Sequence, residues 1–198
     1  MQPLIISFYT NDWEYPAHAA RLKKECDDLK LECYIEERPT TTDYIKNTAI
    51  KPWFIKETIE KFKRPVVWVD VDGTVLKPIK IAHPTVDFAA CAYTYPKLNR
   101  DWAVGIMFFN YTNASLKFLD SWCKNTQSPK AGTDEAEFDL AWKAMKDKVK
   151  SYTLPPEYHF VVWRNNLEIP SNTVYLNRLS KSPDKMRRKQ KNGNIKET

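Results

Sequence analysis

Residues 65–73 read Pro-Val-Val-Trp-Val-Asp-Val-Asp-Gly, and no other run constrains the fold as strongly. Val66, Val67, Trp68 and Val69 are consecutive apolar residues, so a strand made from them is apolar on both faces. Such a strand needs cover on both sides, as at the centre of a parallel sheet with helices above and below it. Pro65 ends the connection before the strand, and Asp-x-Asp-Gly is a good turn sequence after it. Asp70 and Asp72 therefore fall at the carboxyl end of a central strand, where ligands bind in open α/β sheets.

The flanking sequence supplies the rest of such a sheet. Residues 3–10 hold the β-prone run LIISFYT, a buried first strand. Leu22, Cys26 and Leu29 recur at helical spacing within Ala17–Lys30. Leu31, Cys33 and Ile35 alternate with other residues and predict a second strand, completing a parallel βαβ unit. The polar stretch Thr40–Asn47 reads as a loop, with Pro52 in the first turn of a helix that buries Ile55, Ile59 and Phe62. Strands are expected over Phe88–Tyr93 and Trp102–Asn110, and a helix over Ser115–Cys123. Another helix carries Phe138, Ala141, Trp142 and Met145, capped by Thr133 or Asp134. The apolar run Tyr158–Trp163 is expected to close the folded part. The expected fold class is α/β: a single domain over residues 1–176, with a Rossmann-like, mostly parallel sheet flanked by helices. Residues 177–198 form a basic tail that includes Arg187–Lys191, RRKQK.

Composition narrows the function. The chain has 198 residues, 42% hydrophobic and 28% charged, which suits one folded domain rather than a disordered chain. Only four glycines occur, so a phosphate loop needing several of them is poorly supplied. The net charge of +6 favours polyanionic partners, or else is a solvated surface. Cys26, Cys33, Cys91 and Cys123 are scattered among apolar residues and read as buried free thiols. No apolar stretch approaches the ~20 residues of a membrane span. The first residues lack the basic segment of a signal peptide, and the cytoplasm is the expected compartment.

The chemistry centres on Asp70 and Asp72. Two carboxylates two residues apart on a strand point to one side, and their repulsion calls for a cation. Mg2+ or Mn2+ suits such oxygen ligands, with substrate phosphates completing the shell. The plain alternative is a turn.

Two family resemblances attach to this site. VVWVDVDGTVL resembles the first motif of HAD-type phosphatases, which implies Asp70 as nucleophile, Asp72 as acid/base and Thr74 as a positioning residue. That family usually opens with the motif and needs a second acidic pair after a later strand. Here a long segment precedes the motif, and the one candidate for the second pair, GTDEAEFD (Gly132–Asp139), follows the polar stretch KNTQSPKA. The wider order of motifs resembles the GT-A nucleotide-diphospho-sugar transferases. ISFYTND (Ile6–Asp12), KPWFI (Lys51–Ile55), the strand into Asp-x-Asp, VGIMFFNYTNASLKFLDSW (Val104–Trp122), Asp134-Glu135 and LPPEYHF (Leu154–Phe160) stand in that family's order.

The second resemblance implies a metal-dependent glycosyltransferase using Mn2+ or Mg2+ and a nucleotide-diphosphate sugar, UDP-linked in the first instance. Asp72 would bind the metal directly, and Asp70 would bind it or the donor ribose. His159 would be a further metal ligand, unless it only packs among Tyr158, Phe160 and Val161, and His83 is a weaker candidate. Asp134 would be the acceptor-side general base, or else a helix cap, with Glu135 behind it. Tyr9 and Thr10 would touch the nucleotide base and Lys51 a donor phosphate, although Lys51 also fits a salt-bridged surface lysine. Gly105 would let sugar or acceptor approach the backbone. The family often has a small residue such as Ala where Gly73 stands, a difference that loosens the turn. The basic charge points to DNA as acceptor, a hydroxymethylated base in a bacteriophage setting, flipped out to reach the site. The rival acceptor is lipopolysaccharide or another cell-surface glycan.

Overall fold

The computed structural model describes residues 2–41, 43–83, 85–93, 100–129, 132–161 and 168–177. Its centre is a six-stranded sheet in the order β2-β1-β3-β6-β5-β7. The strands are β1 (Leu4–Thr10), β2 (Cys33–Arg38), β3 (Val66–Val69), β5 (Phe88–Ala92), β6 (Trp102–Phe109) and β7 (Ser151–Leu154). Pairing is parallel except where β6 meets β3 and β5, so β6 alone runs against the rest. The mixed, mostly parallel α/β sheet expected from the sequence is what forms.

β3 is central because all four of its residues are buried. Helices α2 (Tyr44–Phe62), α3 (Asn113–Gln127) and α4 (Asp134–Met145) pack on one face, and α1 (Tyr15–Asp28) on the other. Each face has its own core. Phe54, Trp68, Phe88, Phe118, Trp122 and Phe138 belong to one, and Ile5, Leu22, Cys26, Val67, Phe108 and Tyr175 to the other. The four cysteines are free thiols, three buried and Cys33 half-buried.

Two elements differ from expectation. Helix α2 begins at Tyr44, not at Pro52, and Pro52 lies inside it. Asp43 caps this helix, its Oδ1 accepting from Ile45 N at 2.9 Å, so the second half of the polar stretch Thr40–Asn47 is helical. The proline removes one backbone bond. Burial of Phe54 and Ile55 beside it outweighs that loss.

The folded part also does not close with the run after Tyr158. A second sheet, β4-β9-β8, is made by β4 (Thr74–Val75), β9 (Tyr175–Asn177) and β8 (Phe160–Val161). Strand β9 carries Tyr175 and Leu176, both almost fully buried. Trp163 and the basic run from 178 onward lie outside the described residues.

Phe88 is the hub of the helical-side core. Its ring meets Trp102, Phe109, Phe118, Phe138 and Trp142 at centroid distances from 5.2 to 5.9 Å. Phe88→Ala is expected to cost about 3–5 kcal/mol, the range for deleting a buried aromatic ring. Urea unfolding measures this, and a cost under ~1 kcal/mol would show that the cluster repacks.

Candidate active site

The acidic motif is a turn, not a strand end. β3 stops at Val69, Asp70 N donates to Gly105 O at 2.9 Å, and Gly73 N donates back to Asp70 O at 2.9 Å. Asp70 and Asp72 are thus the first and third residues of a β-turn, rather than same-face neighbours on a strand.

Beneath the turn lies Lys51. Its Nζ is 3.0 Å from Asp70 Oδ1 and 2.8 Å from Asp134 Oδ2, and its side chain is 8% exposed. Trp68 Nε1 donates to the same Asp70 oxygen at 2.9 Å. Lys51 is therefore neither a surface lysine nor turned to open solvent. Burial alone would lower its pKa, but the charges of Asp134 and Asp70 outweigh burial and hold it protonated. Burial pushes the Asp70 carboxyl up to about 6; Lys51 opposes this, while Asp72 and Asp134 add to it.

Lys51 lies between the Asp70 and Asp134 carboxylates, and Asp72 stands close enough on the same turn to act on Asp70, an oxygen-rich setting that fits a divalent cation. No three His, Cys, Asp or Glu residues form a ready metal-binding group among the described residues. The turn can offer Asp72 and the second oxygen of Asp70, the small protein share usual for Mg2+ sites completed by phosphates and water.

Asp134 does not cap α4. Thr133 does, accepting from Ala136 N, while the Asp134 side chain, 7% exposed, points to Lys51. Trp122 Nε1 donates to Asp134 O at 3.0 Å, so α3 holds the start of α4. Glu135 is bound by Arg100, which also lies 3.6 Å from Asp139.

β9 completes the other side. The Tyr175 ring packs against Gly73: a Cβ on Gly73 would fall 2.2 Å from Tyr175 Oη. Gly73 is thus needed for close packing, not to loosen the turn, and its φ is not in the left-handed region. Burial first, then the Asp70 and Asp72 charges, push the Tyr175 pKa well up. His159 stacks on Tyr175, and its Nε2 is 3.2 Å from Asn177 Nδ2. A Cβ on Gly105 would lie 3.0 Å from each of those nitrogens. The bare Cα of Gly105 therefore makes room for His159 and Asn177, a different role from admitting a substrate. His159 stands beside the acidic turn, with Nε2 turned to Asn177. His83 does not join it: it is exposed, its ring over Tyr152 of the edge strand β7.

At the end of β1, Thr10 is buried and Tyr9 Oη donates to Glu37 at 3.3 Å. Two further residues stand just beyond them. Asp12 Oδ1 is buried with no hydrogen-bond partner among the described residues. Trp13 adopts φ 50°, an outlier for so bulky a residue, and is 39% exposed. Asp12 closed the ISFYTND motif without being singled out, and nothing in the sequence marked Trp13. Tyr175 and Asn177 were missed because a three-residue strand after a polar stretch carries little pattern.

No protein-family model matches the chain, and no curated protein does. Solved structures do. A glycosyltransferase involved in the glycosylation of the major capsid of PBCV-1 matches at TM-score 0.73 and 16% identity, over 98% of this chain and all of that one. The chain has a glycosyltransferase fold. The glycosyltransferase GlyE of Streptococcus pneumoniae TIGR4 matches in its apo form and in a second structure, at TM-scores 0.61 and 0.62 and at 12% and 11% identity. There the chain covers 55% and 56% of the longer protein. Among the described residues α3 precedes α4 and no strand leads into Asp134-Glu135, as the phosphatase reading requires.

Gly73→Ala is expected to destabilise by about 1–3 kcal/mol, the usual cost of overpacking. A cost within ~0.5 kcal/mol in urea unfolding would mean that Tyr175 yields freely. Burial, partly offset by Arg100, raises the Asp139 carboxyl to about 6. A raised acid disfavours folding once ionised, so its penalty grows as pH rises from about 4 to about 6 and is complete above that. Asp139→Asn should therefore gain on the order of 2 kcal/mol at about pH 8 and nothing near pH 3.5. Equal gains at both pH values would contradict this.

Proposed function

We propose that the chain transfers a sugar from a nucleotide-diphosphate sugar, UDP-linked in the first instance, to an acceptor hydroxyl, with Mn2+ or Mg2+ held by Asp70 and Asp72. The observation that carries this reading is the turn holding Asp70 and Asp72 at the carboxyl end of β3, buttressed by Lys51, in a chain with this fold. When bound, the ion neutralises charge on the leaving diphosphate. Lys51 keeps Asp70 ionised and fixes one of its oxygens, which leaves the other to face the ion. Thr10, Tyr9 and Asp12 border the nucleoside, and the unpartnered Asp12 oxygen accepts from a ribose hydroxyl or a base N–H.

Asp134 serves Lys51 in this scheme. Its carboxylate is buried and ion-paired, and Glu135 is held by Arg100, so neither presents a free base to an acceptor. His159 orders Asn177 and Tyr175 behind the turn.

For the acceptor, the +6 charge supports a hydroxymethylated DNA base. A protein-borne hydroxyl or glycan is the second reading, favoured by the likeness to the glycosyltransferase involved in the glycosylation of the major capsid of PBCV-1.

Thermal melting with a panel of nucleotide-sugars, with and without Mn2+, tests the donor. One UDP-sugar should raise the melting temperature only with Mn2+, and Asp72→Ala should lose the response. A panel with no metal-dependent shift, alongside hydrolysis of a simple phosphate ester, would replace this reading with a phosphatase. For the acceptor, labelled sugar should appear in hydroxymethylated DNA, with binding that weakens steeply as salt rises. Label in protein or glycan alone would establish the second acceptor.

A further inference from the structure

Helix α1 grips the acidic turn from the side opposite Lys51's helix. Arg21 Nη2 donates to Gly73 O at 2.6 Å and to Val71 O at 3.3 Å. Arg21 Nε lies 3.2 Å from Glu25 Oε1, one helical turn along, and Nη1 is 3.1 Å from His18 Nδ1. The other Glu25 oxygen, Oε2, accepts from Val75 N at 2.8 Å, just past the turn.

These bonds fall on the peptide planes that matter. The Val71 carbonyl belongs to the plane before the Cα of Asp72. The plane after it carries Gly73 N, which donates to Asp70 O. Arg21 holds the first plane and the turn's own bond holds the second, so φ and ψ of Asp72 are fixed from both sides. The Gly73 carbonyl, in the next plane, is held by the same nitrogen. A guanidinium is suited to this because its rigid fork lets Nη2 bond the turn while Nε faces Glu25 and Nη1 faces His18, which a single ammonium does not reproduce.

We infer that Arg21, braced by Glu25, is a positioning residue that fixes the backbone of Asp72 and thereby aims its carboxylate at the metal. This rests on the transferase reading above. Arg21 touches neither reacting group nor ion; it acts through the turn, as outer-shell partners of metal sites do.

The test titrates Mn2+ into the full chain with UDP present, reading free Mn2+ by electron paramagnetic resonance, and records ligand-free melting in parallel. Wild type is compared with Arg21→Met, Arg21→Lys and Glu25→Gln. Lys24→Met serves as control, since its exposed pair with Asp28 faces away on the same helix. Arg21→Met should weaken Mn2+ binding by about tenfold or more. Arg21→Lys should fail to restore it, although it keeps the charge. Glu25→Gln, which keeps an acceptor for Val75 N, should lose less in the same direction and stands in if Arg21→Met does not fold. Lys24→Met should match wild type. Melting temperatures that fall while Mn2+ affinity stays at the wild-type value would reduce Arg21 to a stability role and overturn the inference alone. A wild type that binds no Mn2+ with UDP would overturn the transferase reading, and this inference with it.

Discussion

The buried ammonium of Lys51 is the interaction on which the site depends. An acidic turn at the end of a central strand brings Asp70, Asp72 and the start of α4 into one region, and Asp134 adds a third carboxylate there. Without a cation among them, burial and mutual repulsion would drive protonation or open the turn. Lys51 supplies that cation from α2, with the Trp68 indole donating to the same carboxylate oxygen. The arrangement ties three elements together at one atom: the turn after β3, helix α2 and the first residue of α4. It also explains why α2 carries a proline next to that lysine without breaking. The neighbouring side chains are locked by burial and by the ion pairs, so the lost backbone bond is outweighed.

Much of this was legible in the chain. The βαβ start, the doubly buried strand β3 and the aromatic core strands could be read because long apolar runs have few places to go. The place of Asp70 and Asp72 just past a central strand was legible, and Lys51 was picked out from its motif. Its setting was not, since nothing local shows that a lysine lies between carboxylates far apart in sequence. The early start of α2 was hidden because a polar first turn looks like a loop, and Pro52 looks like a beginning. Gly73 and Gly105 were read as sources of freedom. Both are instead places where another side chain presses on the backbone, Tyr175 in one case and the His159–Asn177 pair in the other. A sequence announces a glycine but not the neighbour that requires it.

The likeness to glycosyltransferase structures rests on shape, at identities from 11% to 16%. So little shared sequence moves the burden onto the residues themselves. The acidic turn, its lysine, the buried Asp12 oxygen and the sheet position are what support the proposed site for a polyphosphate ligand and a cation. The likeness shows the fold, and chemistry has to be argued from the site itself.

The second sheet has a consequence for how the molecule comes into being. Thr74 and Val75 wait for Tyr175 and Leu176, which lie about a hundred residues later in the chain. The main sheet has its strands in hand long before that, by the time Leu154 has been made. A nascent chain therefore holds a nearly complete core while the acidic turn still lacks the ring that packs on Gly73. Synthesis and completion of the turn are separated in time, because the strand that packs on it is made about a hundred residues after it.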